Sequence, residues 1–173
     1  MFRKEELIVR AVDSSDFDFL LKLENDKEYW HLSDSHQPIT VKELQDFIAR
    51  AQQPILLTKQ FRYIIEIENQ GQIGCIDLFN FDPIDRYVGV GIIIYDENYR
   101  RKGYAQGALF LIESYVREVL DCISIFAYVL EDNKASISLF KAMNYLVVTD
   151  QTNHYLQIDK SYLNQILFQK KLK

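Results

Sequence analysis

Three consecutive cations and a glycine, Arg100-Arg101-Lys102-Gly103, separate two patterned segments. Before them runs Val90 to Tyr95, short, β-branched and bounded by turn residues, which reads as a buried strand. After them, apolar residues recur at Ala105, Ala108, Leu109, Ile112 and Val116, which is helical spacing. The junction is therefore strand, cationic glycine loop, helix start. The first amides of a helix lack intrahelical partners, and the dipole places partial positive charge there. Glycine lets the loop backbone come close to a ligand, and a small residue such as Ala105 keeps the helix start uncrowded. With three full positive charges added, the junction suits a diphosphate. Neither Gly-x-x-x-x-Gly-Lys-Ser/Thr nor Gly-x-Gly-x-x-Gly occurs in the chain, so the loop is neither a P-loop nor a dinucleotide fingerprint. The plainer alternative is a solvated basic turn.

Other residues could take part in chemistry. Asp77 and Glu66 fall on a hairpin and are candidate bases, although orienting or structural roles suit both. Tyr95 and Tyr104 flank the cationic loop and carry hydroxyls that could give up a proton. Tyr29-Trp30 lies in a polar stretch, where such a pair marks either a contact surface or a small satellite core. His31, His36 and His154 have no metal-ligand spacing, so no metal site is expected. Cys75 and Cys122 give no disulfide framework and read as buried thiols.

The elements that position these residues can be read in order. Glu6 to Ala11 is a first strand. Ser14 or Ser15 caps a helix from Asp16 to Glu24, with Ser15 and Asp18 as its capping box. Thr40 and Glu43 form a second capping box, for a helix that ends near Gln52 before Pro54. Phe61 to Glu68 alternates with Phe61, Tyr63, Ile65 and Ile67 on one side. It turns at Asn69-Gln70-Gly71 into a strand from Gln72 to Phe79. Tyr87 to Tyr95 is the next strand. Beyond the long helix, Ile123 to Leu130 is an almost unbroken apolar strand, parallel to the one before the loop. Glu131-Asp132-Asn133 caps a short helix from Lys134 to Met143, which Asn144 ends in a left-handed conformation. Tyr145 to Thr149, His154 to Ile158 and Tyr162 to Gln169 close the sheet, although periodicity also allows the last as a helix.

Composition bounds the function classes. The chain has 173 residues, 48% hydrophobic, which predicts one domain, 1–173, with a real core. Net charge is −5, from 20 basic and 25 acidic residues, which argues against a general nucleic-acid binder. A cationic or neutral substrate fits better. No signal pattern and no apolar run of membrane-spanning length is present, so a cytoplasmic protein without a membrane partner is expected.

Arg100-Arg101-Lys102-Gly103-Tyr104-Ala105 resembles the Gln/Arg-x-x-Gly-x-Gly/Ala signature of the GNAT N-acyltransferase superfamily, and Asn133 to Tyr145 resembles its Asn-x-x-Ala/Ser-x-x-x-Tyr-x-x-x-Gly-Phe segment. Leu7-Ile8-Val9-Arg10-Ala11 and the Tyr29-Trp30 region resemble the branch of ribosomal-protein N-terminal and spermidine or diamine acetyltransferases. The resemblance implies an α/β fold: a mixed, mostly antiparallel sheet of about seven strands with a V-shaped splay, flanked by about four helices. It implies acetyl-CoA as co-substrate, held by Arg100, Arg101, Lys102, Gly103, Tyr104 and Ala105 at its pyrophosphate. Ile93, Ile94 and Tyr95 would hold the pantetheine arm, with Asn133 and Phe140 nearby. Tyr29, Trp30 and Asp77 would bind the acceptor, a small-molecule amine or a protein N-terminus. Asp77, Glu66 and Tyr104 are the catalytic candidates, in a monomer or homodimer. Two departures matter. Phe140 stands where the family commonly has an acidic Tyr, and Val88-Gly89-Val90-Gly91 stands where the branch often has Glu. The alternative reading is an acyl-CoA-binding, catalytically impaired interaction module.

Overall fold

The computed structural model describes residues 6–30, 37–148 and 165–173, together with the backbone of 2–4. One eight-stranded sheet runs through it, in the order β1-β2-β3-β4-β5-β6-β8-β7. Its strands are β1 (Phe2–Lys4), β2 (Leu7–Ala11), β3 (Phe61–Ile67), β4 (Gly71–Asp82), β5 (Tyr87–Ile94), β6 (Ser124–Leu130), β7 (Leu146–Val147) and β8 (Gln165–Lys171). All neighbours are antiparallel except β5 and β6. This is the expected mixed sheet, with the three-residue β1 added at one edge. The helices are α1 (Phe17–Glu24), α2 (Val41–Arg50), α3 (Ile55–Thr58), α4 (Tyr104–Glu118) and α5 (Lys134–Ala142). The strand expected over 154–158, and His31, His36 and His154, lie outside the described residues.

The period-two pattern of β3 divides the two faces. Tyr63, Ile65 and Ile67 join the larger core under α4 and α5, and Ile64 joins the smaller core under α1 and α2. On α4 the buried stripe is Ala108, Leu109, Ile112 and Val116, as its spacing requires. The residues from 165 on form a strand, not a helix, because they pair with β6 along its whole length.

One local reading is corrected and one short helix is added. The first capping box is Asp13 with Asp16, not Ser15 with Asp18, and Ser15 donates its hydroxyl to Asp13 instead. A one-turn 3-10 helix at Ser14–Asp16 precedes α1, which moves the cap outward. Pro54 stands beyond the end of α2, as read. It caps α3, whose end is a left-handed Lys59. A proline's fixed φ suits a helix start as well as a helix stop. The Thr40–Glu43 box forms as read.

Gly89 is required by packing. A Cβ built there would lie 2.3 Å from the Phe79 ring, which stands edge-on to Phe126 with centroids 5.6 Å apart. Gly89→Ala should cost ~1–3 kcal/mol by overpacking. At about 2–4 °C per kcal/mol for a chain of this size, thermal unfolding should show a lowered Tm. An unchanged Tm would mean that Phe79 moves aside freely.

Candidate active site

Strands β5 and β6 pair at only three positions, Tyr87 with Ser124, Val88 with Ile125 and Gly89 with Phe126. Beyond Gly89, β5 continues along β4 as far as Ile94, and β6 continues along β8 as far as Leu130. The sheet therefore splits into a V whose inner edges carry unpaired strand groups. At its end β5 bulges, with the amides of Tyr95 and Asp96 both donating to the Ile73 carbonyl, at 2.8 and 3.2 Å. Strand alternation then turns the backbone groups of Ile93 toward β4, and those of Ile92 and Ile94 toward the opening. Ile93, expected to hold a ligand by its backbone, instead lines a pocket on the α1 side.

After the bulge the chain makes a 3-10 turn at Glu97–Tyr99, capped by Asp96. Arg101 has φ 58° and Gly103 has φ 86°, so the loop doubles back before α4 opens. The first intrahelical bond runs from the Gly107 amide to the Gly103 carbonyl, at 2.9 Å. Tyr104, Ala105 and Gln106 thus sit in the first turn, where amides have no helical acceptor, and no side chain caps them. Arg101 and Lys102 are exposed beside them. The strand, cationic glycine loop and helix start thus follow one another as read, with the first-turn amides uncapped.

Arg100 departs from that reading. Its guanidinium turns back from the loop and donates to the carbonyls of Ile94 and Tyr95, at 3.0 and 3.1 Å, to Glu97 and to the Tyr29 hydroxyl. It also lies over the Tyr29 ring, 5.5 Å from the centroid. Arg100 therefore ties the loop to the segment after α1. Tyr95 continues this link. Its ring meets Tyr29 edge-on at 5.4 Å, and its hydroxyl donates to Asp26 at 3.0 Å. Burial, then the bond to the Asp26 carboxylate, pushes the Tyr95 hydroxyl up to about 12, so it keeps its proton at neutral pH.

On the α1/α2 face, above Gly91, lies a pocket of about 170 Å³ whose walls include Glu24, Tyr29, Trp30, Arg62, Asp77 and Ile93. Three of the expected acceptor residues, Tyr29, Trp30 and Asp77, thus meet there. Arg62 was missed by sequence reasoning and occupies the centre. It donates to both Asp77 oxygens at 2.7 Å, pairs with Glu24, and lies over the Phe47 ring at 5.1 Å. Burial opposes its charge, but Asp77 and Glu24 outweigh that and hold Arg62 firmly protonated. Both Asp77 oxygens accept from Arg62, so in this arrangement Asp77 orients the guanidinium. Cys75 also lines this pocket, and burial pushes its thiol up to about 12, which makes it a poor nucleophile.

The remaining candidates lie elsewhere. Glu66 accepts from Arg10 at 2.9 Å, within a network around Asp16 at the other end of β3. Tyr104 packs edge-on against Tyr99, at 5.6 Å, on the α4 side of the loop. Phe140 is 3% exposed, packed on Tyr145 and Phe168, so its ring belongs to the core and not to a ligand surface. Asn133 accepts from the Ser136 amide at 3.0 Å, which is a helix cap. Among the described residues no group of His, Cys, Asp and Glu is placed to hold a metal ion, and no helix is long and apolar enough to cross a membrane.

The profile of the acetyltransferase (GNAT) domain matches residues 6–145. No curated protein sequence matches the chain. Among solved structures, a spermidine N-acetyltransferase from Vibrio cholerae in complex with CoA and spermine is similar, with TM-score 0.73 and 19% identity over 96% of this chain and 94% of that one. The dodecameric form of a Vibrio cholerae spermidine N-acetyltransferase gives TM-score 0.73 and 19% identity over 98% and 95%. A domain from Methanocaldococcus jannaschii gives TM-score 0.73 and 14% identity over 95% and 97%. At these identities the likeness is one of fold.

Proposed function

The chain belongs to the GNAT acetyltransferase family, and from that premise we propose that it moves the acetyl group of acetyl-CoA to a primary amine, a polyamine, diamine or protein N-terminus, by direct transfer in a ternary complex. One observation carries the proposal: the β5–β6 splay opens between the uncapped first turn of α4 and the pocket above Gly91. The CoA pyrophosphate meets the amides from Arg101 to Ala105, with Arg101 and Lys102 beside it. The pantetheine arm enters the splay along the backbone groups of Ile92 and the amide of Ile94, whose carbonyl is taken by Arg100. An edge amide polarises the thioester carbonyl. The acceptor amine comes from the Tyr29–Trp30–Asp77 pocket. The Vibrio cholerae structure with CoA and spermine supports both the co-substrate and an amine acceptor.

Missing acid and base residues do not forbid turnover. General acid help is worth about 10²–10⁴-fold, while positioning supplies ~7–11 kcal/mol. A thiol with a pKa near roughly 8.5 leaves readily as thiolate. The raised Cys75 thiol favours direct transfer over an acyl-enzyme. The same gaps, a buried Phe140 and an Asp77 held in an ion pair with Arg62, favour the second reading, an acyl-CoA-binding interaction module.

Thiol release from acetyl-CoA with a panel of polyamines, peptides and other amines separates the two. Turnover on any amine supports the enzyme; tight CoA binding without turnover supports the module. Size measurement in solution tests the expected monomer or homodimer against the dodecamer seen in one structural neighbour.

Two variants probe the acceptor side. A Cβ at Gly91 meets nothing within 4 Å, so Gly91→Val folds and fills the pocket floor. Its acceptor KM should rise ~10-fold or more, with CoA affinity kept. Arg100→Ala frees Tyr29 and should raise acceptor KM ~10-fold or more, on the order of one lost charged hydrogen bond. CoA affinity should fall less than in Arg101→Ala/Lys102→Ala. A reversed order would return Arg100 to the phosphate site.

A further inference from the structure

The acceptor pocket does not end at Asp77. Arg62 and Asp77 also line a second cavity of about 370 Å³, which runs from them toward α2 and α3 between Phe47, Phe61 and Phe79. The inner pocket, at about 170 Å³, is smaller than the roughly 300–1,000 Å³ of ordinary small-molecule sites, and the outer one falls within that range. Arg62 and Asp77 are common to the linings of both cavities, so an acceptor longer than the inner pocket reaches the outer one past that pair.

The charges along this route decide what can lie there. Glu24 and Asp77 are the two carboxylates on its walls, and Arg62 holds both. The far wall carries Arg50, an exposed cation in the last turn of α2 whose guanidinium makes no ion pair or hydrogen bond among the described residues. A second ammonium on the acceptor would pass an already paired carboxylate and then face Arg50. An apolar body among the three Phe side chains, ending in a carboxylate, would meet complementary surface throughout. We propose that the outer cavity is a subsite for an amphipathic acceptor: a primary amine at one end, an apolar or aromatic body between Phe47 and Phe79, and an anionic group on Arg50. This rests on the acetyltransferase reading above and narrows its acceptor from amines in general to amines with an anionic tail.

Three probes share an amine and differ in the tail: 4-(4-aminobutyl)benzoate, 4-phenylbutylamine and spermidine. Expected kcat/KM falls in that order. Arg50→Glu, a surface change on a helix end, should lower the benzoate by ~10-fold, leave phenylbutylamine unchanged and raise spermidine. Equal effects on all three, or spermidine leading in the wild type, would overturn the subsite. Binding of the benzoate, measured by calorimetry on wild type and Arg50→Glu, reads the same site without turnover. Loss in the variant supports the subsite even if no amine is acetylated, which would then count against the enzyme reading alone. Equal binding to both proteins rejects the subsite whatever the activity.

Discussion

Gly103→Val should reduce coenzyme A affinity by about 100-fold or more, with the fold intact. Gly103 sits at φ 86° as the residue before α4, a conformation that a β-branched residue adopts only with strain. Space is not the obstacle, since a Cβ there meets only Gln106 Oε1, at 4.0 Å. The strain is relieved by turning the peptide planes on either side of residue 103, and those planes carry the amides proposed to face the pyrophosphate. Each charge-assisted hydrogen bond lost costs about 1.5–3 kcal/mol, and two such losses exceed the ~2.7 kcal/mol that corresponds to 100-fold. Calorimetric titration with CoA reads the affinity, and circular dichroism checks the helix. Arg101 has a positive φ too, but a non-glycine residue already tolerates it there, so Arg101→Ala should lose only its charge. Retention of wild-type affinity by Gly103→Val would remove the α4 amides from the ligand site.

The cationic junction was legible because its signals are local: a β-branched run, a glycine, and apolar spacing that starts at Ala105. Arg62 was not, and the reason is one β-bulge. Counting back from the Asn69–Gly71 turn pairs Ile67 with Gly71 and Glu66 with Gln72. If that register continued, Asp77 would lie opposite Phe61. The register shifts between Ile65 and Glu66, and Asp77 instead faces Arg62. The slip interrupts the alternation of β4 at Ile73–Gly74, where Ile73 and Ile76 join the larger core and Cys75 the smaller one, and the glycine has no side chain to mark the break. Arg100 shows the opposite failure. Its neighbours in sequence pointed to phosphate, but the bulge at Tyr95 exposes two carbonyls, and a five-donor guanidinium satisfies them. The splay itself was implied by resemblance alone. Which strand groups stay unpaired depends on where β6 leaves β5, and neither strand's sequence marks that point.

Asp16→Ala should destabilise the protein by about 3–5 kcal/mol and leave the splay intact. Asp16 is 0% exposed, yet it is charged, because Arg10 donates to its two oxygens at 2.8 and 2.7 Å. The Asp13 amide and Gln72 add bonds at 2.9 and 3.0 Å. Burial alone would raise the Asp16 carboxyl, but the Arg10, Asp13 and Gln72 bonds together hold it below the ordinary carboxylate range. A group depressed on folding adds stability above its unfolded value, near ~3.9, and that stability fades as pH falls through the folded value. Wild type should therefore lose stability on the acid side more steeply than Asp16→Ala does, and the two unfolding curves should converge at low pH. Removing the carboxylate leaves Arg10 with Glu66, a longer contact to Asp13 at 3.6 Å and the Ala11 carbonyl, without its buried partner, which is why the loss exceeds that of a surface pair. Glu66→Gln tests the same network from its far side. It should lower Tm and leave kcat unchanged, since Glu66 is bound to Arg10 and not to the pocket. A fall in kcat at unchanged Tm would restore Glu66 as a base. Stability of Asp16→Ala within ~1 kcal/mol of wild type would show that Arg10 finds water instead, and that the network is ornamental to the fold.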